Sequence, residues 1–215
     1  MSTRMWCCLS SFTSLNHLNI SDSSISFPSF PPELPSITEI STERVKSQCY
    51  EGLISSLPGL VYMDIIIDEA EADIANITAG LRRTEGQKLK RIAIHAPSPL
   101  PSEKKTVSSK TVRGLGLVIK EHIKNLKRFY LAEVKCIEED DLINLIQCCR
   151  HIKTMECIRL SQCGTTSNGS VDSYLKRLDT ESSNTIQVFV SHSDGSLDFE
   201  LYLVSHMRRV KLKPV

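Results

Sequence analysis

Apolar residues recur along this chain in one short phrase, apolar-x-x-apolar-x-apolar. Leu60, Met63 and Ile65 carry it, and adding 29 to each number gives Leu89, Ile92 and Ile94, which carry it again. Leu126, Phe129 and Leu131 form a third copy, and the same step of 29 leads from them to a fourth, Met155, Ile158 and Leu160. The step from 89 to 126 is longer than this period by eight, and Pro97-Ser98-Pro99-Leu100-Pro101 and Ser102-Glu103-Lys104-Lys105 fall inside it. A polar, Pro-rich insertion of this kind predicts a surface loop over about 97–110. Fainter copies stand at Leu15, Leu18 and Ile20, at Thr185, Val188 and Val190, and at Met207, Val210 and Leu212.

The intervals between these phrases have helical spacing. Val45, Cys49, Leu53 and Leu57 step by four and stop at Pro58. Ala70, Ile74, Ile77 and Leu81 form an apolar stripe, as do Leu115, Ile119 and Ile123, and Leu142, Leu145, Ile146 and Cys149. Two of these segments have acids at the start and bases at the end, which suits the helix dipole: Asp68-Glu69 to Arg82-Arg83, and Glu138 through Asp141 to Arg150-His151. Val171, Tyr174, Leu175 and Leu178 predict a last helix. Strand and helix therefore alternate through the chain. A doubly wound sheet would need strands that are apolar on both faces. Ile65-Ile66-Ile67 fits that, but Lys90-Arg91 and Lys127-Arg128 sit within the strand phrases, so one sheet face is expected to meet water.

A period of this length means one strand, one turn, one helix and a return per unit, each burying its apolar stripe against its neighbours. Over residues 45–190 the pattern resembles leucine-rich repeats of the 28–29-residue subtype found in ribonuclease inhibitor and in NACHT-type intracellular immune receptors. In that family an Asn or Cys after the strand bonds the turn backbone. Cys163 occupies this slot, whereas Asp68, Pro97 and Val134 stand there in the other copies. The resemblance implies an α/β leucine-rich-repeat solenoid with parallel strands on the concave side, helices on the convex side and degenerate repeats. It also implies a non-enzymatic protein-binding scaffold: a ligand-sensing or autoinhibitory region of a receptor of innate immunity, or a detached part of one. The cysteine-containing repeats of F-box adaptors, which serve ubiquitin ligases, are a second family that the segment Met155–Cys163 resembles.

The ends read differently. Residues 1–42 hold eleven Ser and four Pro, including Phe27-Pro28-Ser29-Phe30-Pro31-Pro32, so they form a Ser/Pro-rich segment with one repeat-like strand. An irregular loop is expected over 22–41, and the repeat domain over 43–215. Near the other end, Ile186–Val190 and Leu197–Leu203 flank Asp194-Gly195, a hairpin signal.

Composition adds exclusions more than assignments. The chain has 215 residues and net charge +1, so no global field draws it to nucleic acid or a membrane. No run of 18 apolar residues occurs, and the first residues make a poor secretory signal. Eight cysteines include the vicinal pairs Cys7-Cys8 and Cys148-Cys149, which bridge poorly, and no zinc spacing occurs. Reduced thiols and a cytoplasmic location are expected. Six histidines show no metal or triad spacing, Gly114-Leu-Gly116 is a bare GxG ahead of helical residues, and Asp140-Asp141 reads as a helix first turn. Neither cofactor nor metal is expected. His192-Ser-Asp194 would matter only beside a nucleophile.

The x positions of the phrase face water. They include Tyr62 and Asp64, Lys90 and Arg91, Lys127, Arg128 and Tyr130, Glu156 and Arg159, then Arg208, Arg209 and Lys211. Eight are basic and two acidic, in a chain with 26 basic and 25 acidic residues overall. Lys90-Arg91 and Lys127-Arg128 should be neighbours across the sheet. This face is the expected binding surface, with Tyr62 and Tyr130 as aromatic anchors. Its expected partner is an acidic protein segment first, nucleic acid or a phosphorylated ligand second, or a further receptor domain docked on it.

Overall fold

The computed structural model describes residues 3–21, 32–84, 88–97, 105–136, 138–163, 174, 186–191, 200–204 and 210–211. Seven strands run parallel in one sheet: β1 (His17–Ser21), β2 (Glu39–Glu43), β3 (Tyr62–Ile66), β4 (Arg91–His95), β6 (Arg128–Ala132), β8 (Cys157–Ser161) and β9 (Ile186–Ser191). Each lies beside the strand before it in the chain, apart from two short strands, β5 (Lys105–Val107) and β7 (Val134–Cys136), which pair in a small parallel sheet of their own. β10 (Glu200–Val204) returns antiparallel to β9, and β11 (Val210–Lys211) antiparallel to β10.

Strand alternation gives the sheet two unlike faces. The register lines up Leu18, Ile40, Met63, Ile92, Phe129, Ile158 and Val188 across it, all buried. Over them lie α2 (Tyr50–Ser55), α3 (Ala70–Arg83), α4 (Ser109–His122) and α5 (Glu139–Arg150), packed side by side in the order of the strands they follow. Ile74, Ile77 and Leu81, Leu115 and Ile119, and Leu142, Leu145 and Ile146 join these strand residues in one apolar core. A fully buried side chain such as Phe129 stabilises the fold by roughly 1.5–3 kcal/mol over its exposed state.

Local chemistry sets the helix ends. Asp73 Oδ2 accepts from the backbone N–H groups of Asp68 and Glu69 at 3.0 and 2.9 Å and starts α3. Ser108 caps α4 by accepting from Thr111 N–H. The α3 carboxylate of Glu71 grips that cap, accepting from Ser108 N–H and Oγ–H at 2.7 Å each and from Thr111 Oγ1–H at 2.6 Å. Asp141, fully buried at the start of α5, faces Arg113 of α4 at 3.1 Å. Small residues let helices approach: a Cβ on Gly80 would lie 2.8 Å from Ile54 Cβ.

Several expectations change. β2 begins inside the segment read as an irregular loop, and the 42/43 boundary cuts through it. Ile37 just before β2 and Ile40 and Thr42 within it fill the inner slots of the phrase, with Thr42 buried in the third. The aligned positions 18, 40 and 63 are separated by steps of 22 and 23, which hides this unit from a period of 29. A helix, α1 (Thr3–Ser10), precedes β1; Trp6 is fully buried there and donates its Nε1–H to Pro32 O at 2.9 Å. The expected loop over about 97–110 contains β5 and the start of α4, and Lys105 Nζ donates to Ile67 O at 3.2 Å. The helix expected from Val45 is shorter: a 3-10 turn at Ser47–Cys49 leads into α2. Gly114 and Gly116 lie within α4 rather than ahead of a helix.

At the far end β9 pairs parallel with β8 as a further strand of the sheet and antiparallel with β10, the pairing that the hairpin signal predicts. β11 runs antiparallel to β10 instead of forming a further parallel copy. The helix expected at 171–178 lies outside the described residues except for the helical, buried Tyr174. His192 and Asp194 also lie outside them.

Candidate functional site

The uncovered face is a ladder of aligned rows. One row runs Glu39, Tyr62, Arg91, Arg128, Cys157, Gln187 from β2 to β9, and the next Ser41, Asp64, Ala93, Tyr130, Arg159, Phe189. Arg91 and Arg128 are direct cross-strand partners, and Lys90 and Lys127 immediately precede them, so the two basic pairs are neighbours as their spacing predicts.

Tyr130 organises the centre. The Arg91 guanidinium lies over its ring, 5.2 Å from the centroid. Arg159 is its cross-strand neighbour, and Cys157 lies within hydrogen-bonding reach of its hydroxyl. Burial raises the Tyr130 pKa above that of a free tyrosine. Two shallow depressions meet at Tyr130 and Arg159. One, about 450 Å³, is lined also by Arg91, His95 and Ser161; the other, about 480 Å³, by Arg128, Glu156, Cys157, Gln187 and Phe189. Tyr62 stands apart from both on β3, 43% exposed.

Ion pairs reduce the expected excess of positive charge. Lys127 Nζ meets Glu156 Oε1 at 2.7 Å, and Arg91 Nη2 meets Asp64 Oδ2 at 3.5 Å. His95 Nε2 reaches the other Asp64 oxygen at 3.6 Å. The Lys127 contact holds the Glu156 carboxyl below its ordinary value. Among the described residues Lys90 and Arg128 enter no ion pair, and both are exposed, as is Arg159. Arg208 and Arg209 lie outside the described residues. Lys211 pairs with Glu200, itself opposite Val190, because the chain has turned back antiparallel rather than forming a further parallel copy.

Sequence reasoning missed the acidic end of the face. Glu39 and Glu43 project from β2, contacting His17 at 3.4 Å and Arg44 at 3.8 Å respectively. The Lys127–Glu156 pair was within reach of the sequence, since the two residues stand 29 apart, one full period.

Cys157 is a weak nucleophile: burial raises its pKa despite the lowering effects of Tyr130, Arg128 and Arg159. The eight thiols are unbridged. No group of three metal-ligating side chains occurs among the described residues, and no helix among them is long and apolar enough to cross a membrane. No protein-family model, curated protein or solved structure matches the chain.

Proposed function

We propose that this chain is a leucine-rich-repeat scaffold of the receptor type, which binds an acidic protein segment on its uncovered sheet face, catalyses no reaction and works in the cytoplasm with reduced thiols. The observation that carries the reading is the aligned set of Arg91, Arg128 and Arg159 around Tyr130, on the face of the seven-stranded parallel sheet opposite the described helices α2 to α5. Guanidinium groups pair with carboxylates in a fixed planar geometry, and an aromatic ring beside them gives rigid contact area. The repeat assignment has a second support. Cys163 Sγ–H donates to Leu131 O at 3.1 Å and Ser161 O at 3.3 Å, the turn contact which that family's Cys slot implies.

Lys90→Glu combined with Arg128→Glu tests the binding reading, because neither side chain holds an ion pair among the described residues whose loss would confuse the result. Immobilised wild type is expected to retain acidic proteins from an extract at physiological salt, and the folded double variant to lose most of them. Equal retention by both would overturn it. A fluorescent fusion concentrated in membranes or outside the cell would overturn the cytoplasmic placement.

A further inference from the structure

The uncovered face changes sign from one end to the other. β2 presents Glu39 and Glu43, and β3 presents Asp64, with no Lys or Arg among the outward positions of those two strands. Lys90 and Arg91 then lead into and begin β4, Lys127 and Arg128 do the same at β6, and β8 presents Arg159 against Glu156. The two contacts of Asp64, to Arg91 and His95, lie at the seam where the sign changes. They leave the ends as they are. At about 4.8 Å per strand, β2 and β8 are four steps or about 19 Å apart. That exceeds twice the Debye length of about 8 Å at physiological salt, so neither end screens the other. The local contacts at the ends, Glu39 to His17, Glu43 to Arg44 and Lys127 to Glu156, are all between exposed groups, which such pairing restrains weakly.

We infer that the partner is a bipolar protein segment, with acidic residues over β6 and β8 and basic residues over β2 and β3. This deepens the proposed function and rests on its binding face. A uniformly acidic segment long enough to cross the face gains over Arg128 and Arg159 but is repelled over Glu39 and Glu43. A bipolar one gains at both ends. The centres of the two charged regions are about three strand steps, or about 14 Å, apart, which about four residues of extended chain span. Tyr62 on β3 and Tyr130 on β6 flank β4, over which the linking residues pass. Backbone direction is not fixed, since a segment crossing the face makes no ladder with it.

The test compares three labelled peptides by fluorescence anisotropy at low and physiological salt. One carries a lysine block, a four-residue spacer and a glutamate block; one has the same residues with the charges interleaved; one is uniformly acidic. The blocked peptide is expected to bind wild type about fivefold more tightly than the interleaved one, the effect of two exposed charge pairs. Glu39→Lys with Glu43→Lys should remove that preference and favour the uniformly acidic peptide. Arg128→Glu with Arg159→Glu should weaken both. All four side chains are exposed, so the variants should keep the wild-type thermal midpoint. Blocked and interleaved peptides binding alike, with the acidic peptide still sensitive to Arg128→Glu/Arg159→Glu, would overturn the bipolar partner and leave the binding face standing. Indifference of every peptide to both double variants would overturn the two together.

Discussion

On β6, Phe129 and Leu131 enter the helix layer while Arg128 and Tyr130, the alternate residues of the same strand, face outward. The same contrast repeats on β1, β2, β3 and β8, and on β4 apart from Ala93, an outward position that is buried. Inward positions vary little: leucine, isoleucine, methionine and phenylalanine, with valine on β9 and Thr42 the one polar residue. Outward positions include carboxylates, guanidiniums, tyrosine, serine and a thiol. Packing explains the difference, because a close-packed interior penalises each missing or added methylene whereas a solvated face does not. The inward row thus specifies the fold, and the outward row is free to carry recognition.

Adjacent residues on one strand give the largest test of that division. Phe129→Ala is expected to lower unfolding free energy by about 3–5 kcal/mol, from lost burial and the cavity left behind. Arg128→Ala should change it by less than about 0.5 kcal/mol. Urea denaturation of both variants decides, and comparable losses would mean that the outward row is also structural.

The helix layer contains its own comparison. Gly80 on α3 has Ile54 Cβ and the Glu51 carbonyl oxygen within 2.8 and 3.1 Å of where a Cβ would sit, whereas Gly114 on α4 has nothing within 4 Å. Gly80→Val should cost about 1–3 kcal/mol by overpacking against α2. Gly114→Ala should stabilise by about 0.5–1 kcal/mol, because alanine loses less backbone freedom in a helix. Thermal melts that moved both variants the same way would break this reading of the layer.

The inward row is also the legible one. Leu60-x-x-Met63-x-Ile65 and its copies name the buried strand positions directly, and the parallel pairing of β3 with β4 and of β6 with β8 follows from one strand and one helix per period. Where a unit is shorter and its third inner slot is the hydroxyl of Thr42, the pattern fades and β2 is lost. Trp6 is buried through a contact to Pro32, 26 residues away, which no local period encodes. On the outward row, spacing places Lys90-Arg91 beside Lys127-Arg128, but not the diagonal from Arg91 to Asp64, which depends on side-chain reach. Spacing also predicts a further parallel copy at Met207, Val210 and Leu212, where the chain instead turns back antiparallel.

The smallest expected effect sets one carboxylate of the helix layer against one of the uncovered face. Both Glu71 and Glu156 titrate below the ordinary glutamate value of 4.5. For Glu71, burial acts to raise the pKa, but the bonds from Thr111 and Ser108 outweigh it; for Glu156, the bond from Lys127 leads. A folded-state pKa below the unfolded one means stability that is present above the unfolded value and lost as pH falls through the folded value. Both groups therefore stabilise the fold at neutral pH and lose that contribution below about pH 4.5. Asp73, raised by burial, has the opposite sign: its contribution is present below its unfolded value and lost as pH rises through the folded one. Glu71 also secures backbone and side chains at the start of α4, so its protonation loosens a helix end. Glu156 meets one mobile lysine in water, where such a pair is worth little. Glu71→Gln should flatten the acid limb of the stability curve between about pH 5 and about pH 3. Glu156→Gln should flatten that limb much less, and Asp73→Asn should steepen it. An acid limb flattened by Glu156→Gln but not by Glu71→Gln would place the stabilising carboxylate on the wrong face and undo the contrast between the two.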